Sequence, residues 1–143
     1  MSADERHVFH VLSVPEHVPL ARREAAKVLA DWGIGEDLLF AASLIVTELV
    51  GNVVRHAAVL SPTATVTLAA DAEALSLAVA DAHPFRPAPL LAAHAEGGRG
   101  LAVVAALAAE AGGSHEVVAD EDSGGKRIVV RLPLAPATER AAC

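Results

Sequence analysis

The segment that most constrains this chain is residues 37–57, its longest helix-periodic run, in which Leu38, Ala41, Ala42, Ile45, Leu49 and Val53 recur at intervals of three and four. That spacing predicts a helix with those side chains on its buried face. Leu44-Ile45-Val46 and Val53-Val54 make the helix apolar on several sides, so it is expected to be largely buried. Two polar residues, Glu48 and Asn52, interrupt the run. Their separation of one helical turn places both side chains on one face, about 6 Å apart along the axis. A carboxylate in such surroundings needs a reason; the plain alternative is a solvated stripe on an amphipathic helix.

Composition narrows the rest. With 143 residues and 53% hydrophobic content the chain fits one compact domain, expected over residues 8–134 with flexible termini at 1–7 and 135–143. Aromatic residues make up only 3%, so the core must be built from Ala, Val and Leu. A formal net charge of −7 argues against direct nucleic-acid binding, which usually rests on a clustered basic excess. Glu48 and Asn52 interrupt the longest apolar stretch before it reaches the roughly 18 residues of a membrane span, and the first residues are polar, so a cytoplasmic protein is expected. The lone cysteine, Cys143, has no internal disulfide partner and fits a reducing compartment.

A first strand is expected over residues 8–14, stopped by Pro15, and a helix follows with Val18, Ala21, Ala25, Val28, Leu29 and Trp32 on its apolar face and Gly33 and Gly35 closing it. Beyond the long helix, residues 63–70 and 74–80 read as a hairpin joined by Asp71-Ala72-Glu73. Residues 81–98 hold three prolines and no period, and read as a long loop. Helical character returns over 99–111, ended by Gly112-Gly113, and strands are expected over 116–119 and 127–132 around an acidic turn. This order favours an α+β two-layer sandwich: a mixed, mostly antiparallel sheet with helices on one face.

The last helix opens on Glu96-Gly97-Gly98-Arg99-Gly100-Leu101. Glycines let backbone amides approach an anion at a helix start, where the helix dipole also favours it, and hard oxygens of the Glu48 and Asn52 kind suit Mg²⁺. Together they point to a metal-nucleotide site. A flexible turn is the plain reading of the glycines, and a turn cap that of Asp81. His56 reads as a helix-end histidine and His83 and His94 as solvent-exposed. There is no nucleophile elbow, cysteine pair or Lys-containing phosphate loop.

The ordered set Glu48-x-x-x-Asn52 with Arg55-His56-Ala57, Asp81 after a strand, Gly98-Arg99-Gly100-Leu101, and Gly125-Lys126 leading a last strand resembles the histidine-kinase-like ATPases (the GHKL or Bergerat type), and more narrowly the small anti-sigma-factor serine kinases. The resemblance covers residues 12–133. It implies that Asn52 holds Mg²⁺, that Glu48 orients or deprotonates the attacking hydroxyl, that Arg55 reaches a phosphate, and that Asp81 accepts a hydrogen bond from the adenine amino group. Gly98 and Gly100, with Arg99 and Leu101 of the same motif, would cradle the triphosphate, and residues 82–97 would form the ATP lid. ATP and Mg²⁺ are the implied cofactors. The implied activity is transfer of the ATP γ-phosphate to a serine or threonine of an anti-sigma-factor antagonist, with sequestration of a sigma factor a further role; the family commonly forms homodimers.

The chain departs from the family pattern in two places. Ala82-His83-Pro84-Phe85 stands where a glycine-containing signature is common, and Arg127 stands where a threonine is usual near the adenine. These departures motivate the alternative of a non-catalytic partner-binding module with a degenerate nucleotide site. A plain α/β domain of other role is the third reading.

Overall fold

A computed structural model describes residues 4–56, 61–81, 99–119 and 125–134, with Arg99 and Gly100 described in their backbone only. The chain forms β1 (Glu5–Leu12), a one-turn 3-10 helix (Pro15–His17), α1 (Val18–Asp31), α2 (Glu36–His56), β2 (Thr63–Ala70), β3 (Ala74–Asp81), α3 (Arg99–Glu110), β4 (Ser114–Ala119) and β5 (Lys126–Pro133). The strand expected at 8–14 thus runs from Glu5 to Leu12, and residues 5–7, expected in the N-terminal tail, pair with residues 68–70 of β2. The long loop expected at 81–98 and the acidic turn, apart from their flanking residues, lie outside the described residues.

Local chemistry sets the boundaries. Pro19 stands in the first turn of α1, where a missing N–H costs nothing. Both α1 and α3 end on a left-handed glycine, Gly33 (φ +80°) and Gly112 (φ +76°). The Gly33 and Ile34 amides donate to the Ala30 and Leu29 carbonyls, and those of Gly112 and Gly113 to Ala109 and Ala108, so the last carbonyls of each helix are satisfied. Gly113 has a second constraint: a methyl built there would overlap the Arg131 carbonyl oxygen of β5.

The sheet has five strands in the order β1-β2-β3-β5-β4, and all four pairings are antiparallel. One face carries Ala64, Val66 and Leu68 of β2, Leu75, Leu77 and Val79 of β3, and Ile128, Val130 and Leu132 of β5, all buried. The helices cover this face: α2 packs on β2 and β3, and α3 on β4 and β5. The result is the two-layer α+β sandwich the element order suggests. The opposite face displays Thr67, Ser76, Arg127 and Arg131, with Val8 and Leu12 exposed at the β1 edge.

The middle helix, α2, is flanked by α1 and α3 and lies on the sheet, so burial spreads beyond the expected stripe to Ser43, Val46, Val50, Gly51 and Asn52. Leu38 and Ala41 are half-buried. Despite Glu48 and Asn52, its most apolar 18-residue window has a mean hydropathy of 1.7, enough by length and composition for a membrane span; half of that window is buried inside the domain. Its apolarity is explained by three-sided packing.

Candidate nucleotide site

Sheet topology decides which residues meet. β2 starts near Ser61, shortly after α2 ends at His56, and Thr65 pairs with Ala80, so the C-terminal half of α2 and the end of β3 share one end of the molecule. Asp81 pairs with Lys126, and Lys126 with Ala119, which places the start of β5 and the end of β4 at the same end. Because α3 runs into β4 through Gly112-Gly113, its N-terminus at Arg99 points to that end too. The α2 polar stripe, Asp81 and the start of α3 are therefore gathered by connectivity, although some fifty residues separate the first from the last.

On α2, Glu48 is half-buried and Asn52 only 4% exposed. Among the described residues neither side chain has a hydrogen-bond partner. The amide is left without a protein partner at the edge of the core, and its oxygen is of the hard kind that suits Mg²⁺. The described residues hold no cluster of three or more His, Cys, Asp or Glu side chains able to bind a metal independently.

Arg55 lies on the same α2 face as Glu48 and Asn52, seven residues beyond Glu48, and is exposed. Its guanidinium folds back over Gly51: a methyl group at Gly51 would lie 3.1 Å from Nη1. This explains a glycine in the middle of a helix, where it costs about 1 kcal/mol relative to alanine. The glycine gives the cation a seat against the helix beside Asn52.

Asp81 ends β3 on the helix-covered face. The Lys126 ammonium donates from Nζ to Asp81 Oδ2 at 2.9 Å, with the two side chains 4% and 3% exposed respectively. Lys126, not Arg127, is thus the cation beside Asp81; Arg127 points to the open face and is exposed. Sequence reasoning missed Lys126 by one residue. The alternation of Ile128, Val130 and Leu132 already implied that position 126 faces inward.

Arg99 and Gly100 form the first turn of α3, and their side-chain surroundings lie outside the described residues, as does Gly98. Leu101 is 2% exposed and packs in the core, anchoring the start of the helix. A cavity of about 770 Å³ opens at the opposite end of the sheet, between the end of α1, the start of α2, Asp71 and Leu134. It contains none of the residues above, and its Glu36, Asp37 and Glu110 carboxylates disfavour a phosphate.

A helix stripe of carboxylate, carboxamide and guanidinium, a buried strand-end aspartate and the start of α3 are thus gathered at one end of an α+β sandwich. The sequence model described as the histidine kinase-like ATPase domain matches residues 11–132, and the chain belongs to that family, whose fold binds ATP with Mg²⁺. No curated protein matches the chain significantly in sequence. Among solved structures it is similar to the RsbU and RsbW domains of Rv1364c from Mycobacterium tuberculosis, with a TM-score of 0.59 and 16% identity over 91% of this chain and 34% of that one. It is also similar to one chain of the SiaB–SiaC complex from Pseudomonas aeruginosa, with a TM-score of 0.54 and 16% identity over 90% of this chain and 89% of that one. The chain spans about a third of the length of the solved Mycobacterium tuberculosis chain, which holds both domains. At these identities the likeness is one of fold.

Proposed function

We propose that the protein is a cytoplasmic regulatory ATPase-fold protein that binds Mg-ATP and transfers the γ-phosphate to a serine or threonine of a protein partner. The observation that carries this reading is the α2 stripe: a half-buried Glu48 and an unpartnered Asn52 one turn apart, with the Arg55 guanidinium seated over Gly51 on the same face. Asn52 Oδ1 would ligate Mg²⁺, which when bound neutralises charge on the phosphates. Arg55 would bind a phosphate oxygen. Glu48 would orient the attacking hydroxyl and take its proton on the carboxylate. Backbone amides at the start of α3, around Gly98, Arg99 and Gly100, would hold the remaining phosphate charge, and Asp81 would accept from the adenine amino group.

The partner class follows from the resemblance to anti-sigma-factor serine kinases: a small anti-sigma-factor antagonist, with a sigma factor as a second partner. It gains support from the fold neighbours, one solved as a SiaB–SiaC complex and the other holding an RsbU domain beside its RsbW domain. A homodimer accords with the family habit.

A second reading, a non-catalytic partner-binding module, is favoured by one observation: the Asp81 carboxylate is bound to Lys126 in a buried pair. Calorimetric titration with ATP, with and without Mg²⁺, decides between the two. Metal-dependent binding that is lost in Asn52→Ala, with phosphotransfer to an antagonist lost in Glu48→Ala while ATP binding persists, is the expected result. No binding at millimolar nucleotide would leave the partner-binding module.

A further inference from the structure

The Asp81–Lys126 pair is an unusual thing to find at the end of two neighbouring core strands. The residues face each other across the β3–β5 ladder, joined at 2.9 Å and almost wholly buried, on the face that otherwise carries Val79, Ile128 and their apolar neighbours. Removing two charges from water carries a desolvation penalty that mutual attraction often fails to offset, and an apolar pair of similar volume is frequently as stable or more so. Stability alone therefore does not account for a lysine here. The neighbours across the strands are small: Ala119 is opposite Lys126, and Ala64 precedes Thr65, the residue paired with Ala80.

We infer that Lys126 is a specificity-determining residue that reads the nucleobase together with Asp81, its ammonium donating to N1 of adenine while the carboxylate accepts from the 6-amino group. The inference rests on the nucleotide site proposed above and adds to it a second reading group. An ammonium has three N–H donors, and Asp81 Oδ2 takes one of them. An acceptor and a donor held side by side match the edge of adenine, which presents a donor, the amino group, beside an acceptor, N1. A guanine in the same seat turns both contacts into clashes of like polarity, with O6 against the carboxylate and N1–H against the ammonium. The pair thus selects against the wrong base as well as for the right one. Partial exclusion of water from the pair strengthens both effects.

The test uses the intact protein with ATP, with 1-deazaadenosine triphosphate, in which carbon replaces N1, and with GTP, each titrated calorimetrically with Mg²⁺. The deaza analogue is expected to bind at least about ten-fold more weakly than ATP, the value of a hydrogen bond from a charged donor, and GTP more weakly still. In the Asp81→Asn/Lys126→Met double variant, which removes both charges together, ATP and the deaza analogue should bind alike. Equal binding of the two by the unaltered protein would overturn the role of Lys126 and leave the ATP site standing. A ten-fold gap that survives in the double variant would assign N1 to another group and also overturn it. Failure of the unaltered protein to bind ATP at all would overturn the nucleotide site, and this inference with it.

Discussion

The Arg55 guanidinium occupies the space that Gly51 leaves open one turn earlier on α2, so close that a β-carbon at position 51 would sit 3.1 Å from Nη1. The contact is with the far end of a flexible side chain, which can move aside. Gly51→Ala is therefore expected to stabilise the helix by up to about 1 kcal/mol through propensity, read as a higher melting temperature. The displaced guanidinium should at the same time weaken ATP binding several-fold in calorimetry. A stabilised variant with unchanged ATP affinity would separate Arg55 from the phosphate.

Asn52 presents the same trade-off at closer range. It is 4% exposed, with no hydrogen-bond partner among the described residues, so Asn52→Leu breaks no protein hydrogen bond and should stay within about 1 kcal/mol of the wild-type stability in urea denaturation. Nucleotide binding should be lost in the same protein. A clear loss of stability would mean that the amide serves the fold.

The Asp81–Lys126 pair behaves in the opposite way. Lys126→Met takes the charged partner from a buried carboxylate and is expected to cost about 3–5 kcal/mol, whereas Asp81→Leu/Lys126→Met should return to within about 1 kcal/mol of the wild type. Equilibrium denaturation of the two variants measures the difference. Equal destabilisation by single and double changes would show that the site needs charge to fold.

Asp71 gives a pH dependence. Its carboxylate accepts from the Glu73 and Ala74 amides at 2.7 and 2.9 Å, closing the β2–β3 turn. These bonds, the Glu73 one first, hold its pKa below the ordinary 3.8. A depressed carboxylate pKa contributes stability above the ordinary value, and that contribution disappears as pH falls through the folded value. The melting temperature of Asp71→Ala should therefore lie below the wild type at pH 5–7 and converge on it as pH drops below 3.8. Asp71→Asn, which keeps an acceptor without titrating, should lie nearer the wild type than Asp71→Ala and show the same narrowing of its gap as pH falls, because the group that titrates is the wild-type carboxylate.

Helix and hairpin positions were legible in the sequence wherever period and punctuation agreed. The 3.6-residue period over α2 and the Asp71 turn between two apolar runs gave elements within a residue or so of those observed. The β1 edge was displaced by three residues because Glu5, Arg6 and His7 carry no apolar alternation, and His7 gains its place from a 2.8 Å contact with Glu24 on α1. The broad burial of α2, expected from apolar residues on several of its sides, has its cause in α1, α3 and the sheet packing around it. At position 51 the sequence showed a costly glycine, and only the contact with Arg55 supplied the reason.

By itself, the sequence determined the kind of element at each place and the chemical types available to the site, since periodicity, turn residues and capping glycines act between near neighbours in the chain. Tertiary structure alone decided which of those groups stand together. The strand register β3–β5 put Lys126 rather than Arg127 against Asp81, and a shift of one residue would have turned every side chain of β5 to the other face. That choice belongs to the packing of the whole sheet under α2 and α3, where the apolar columns of several strands must be buried at once.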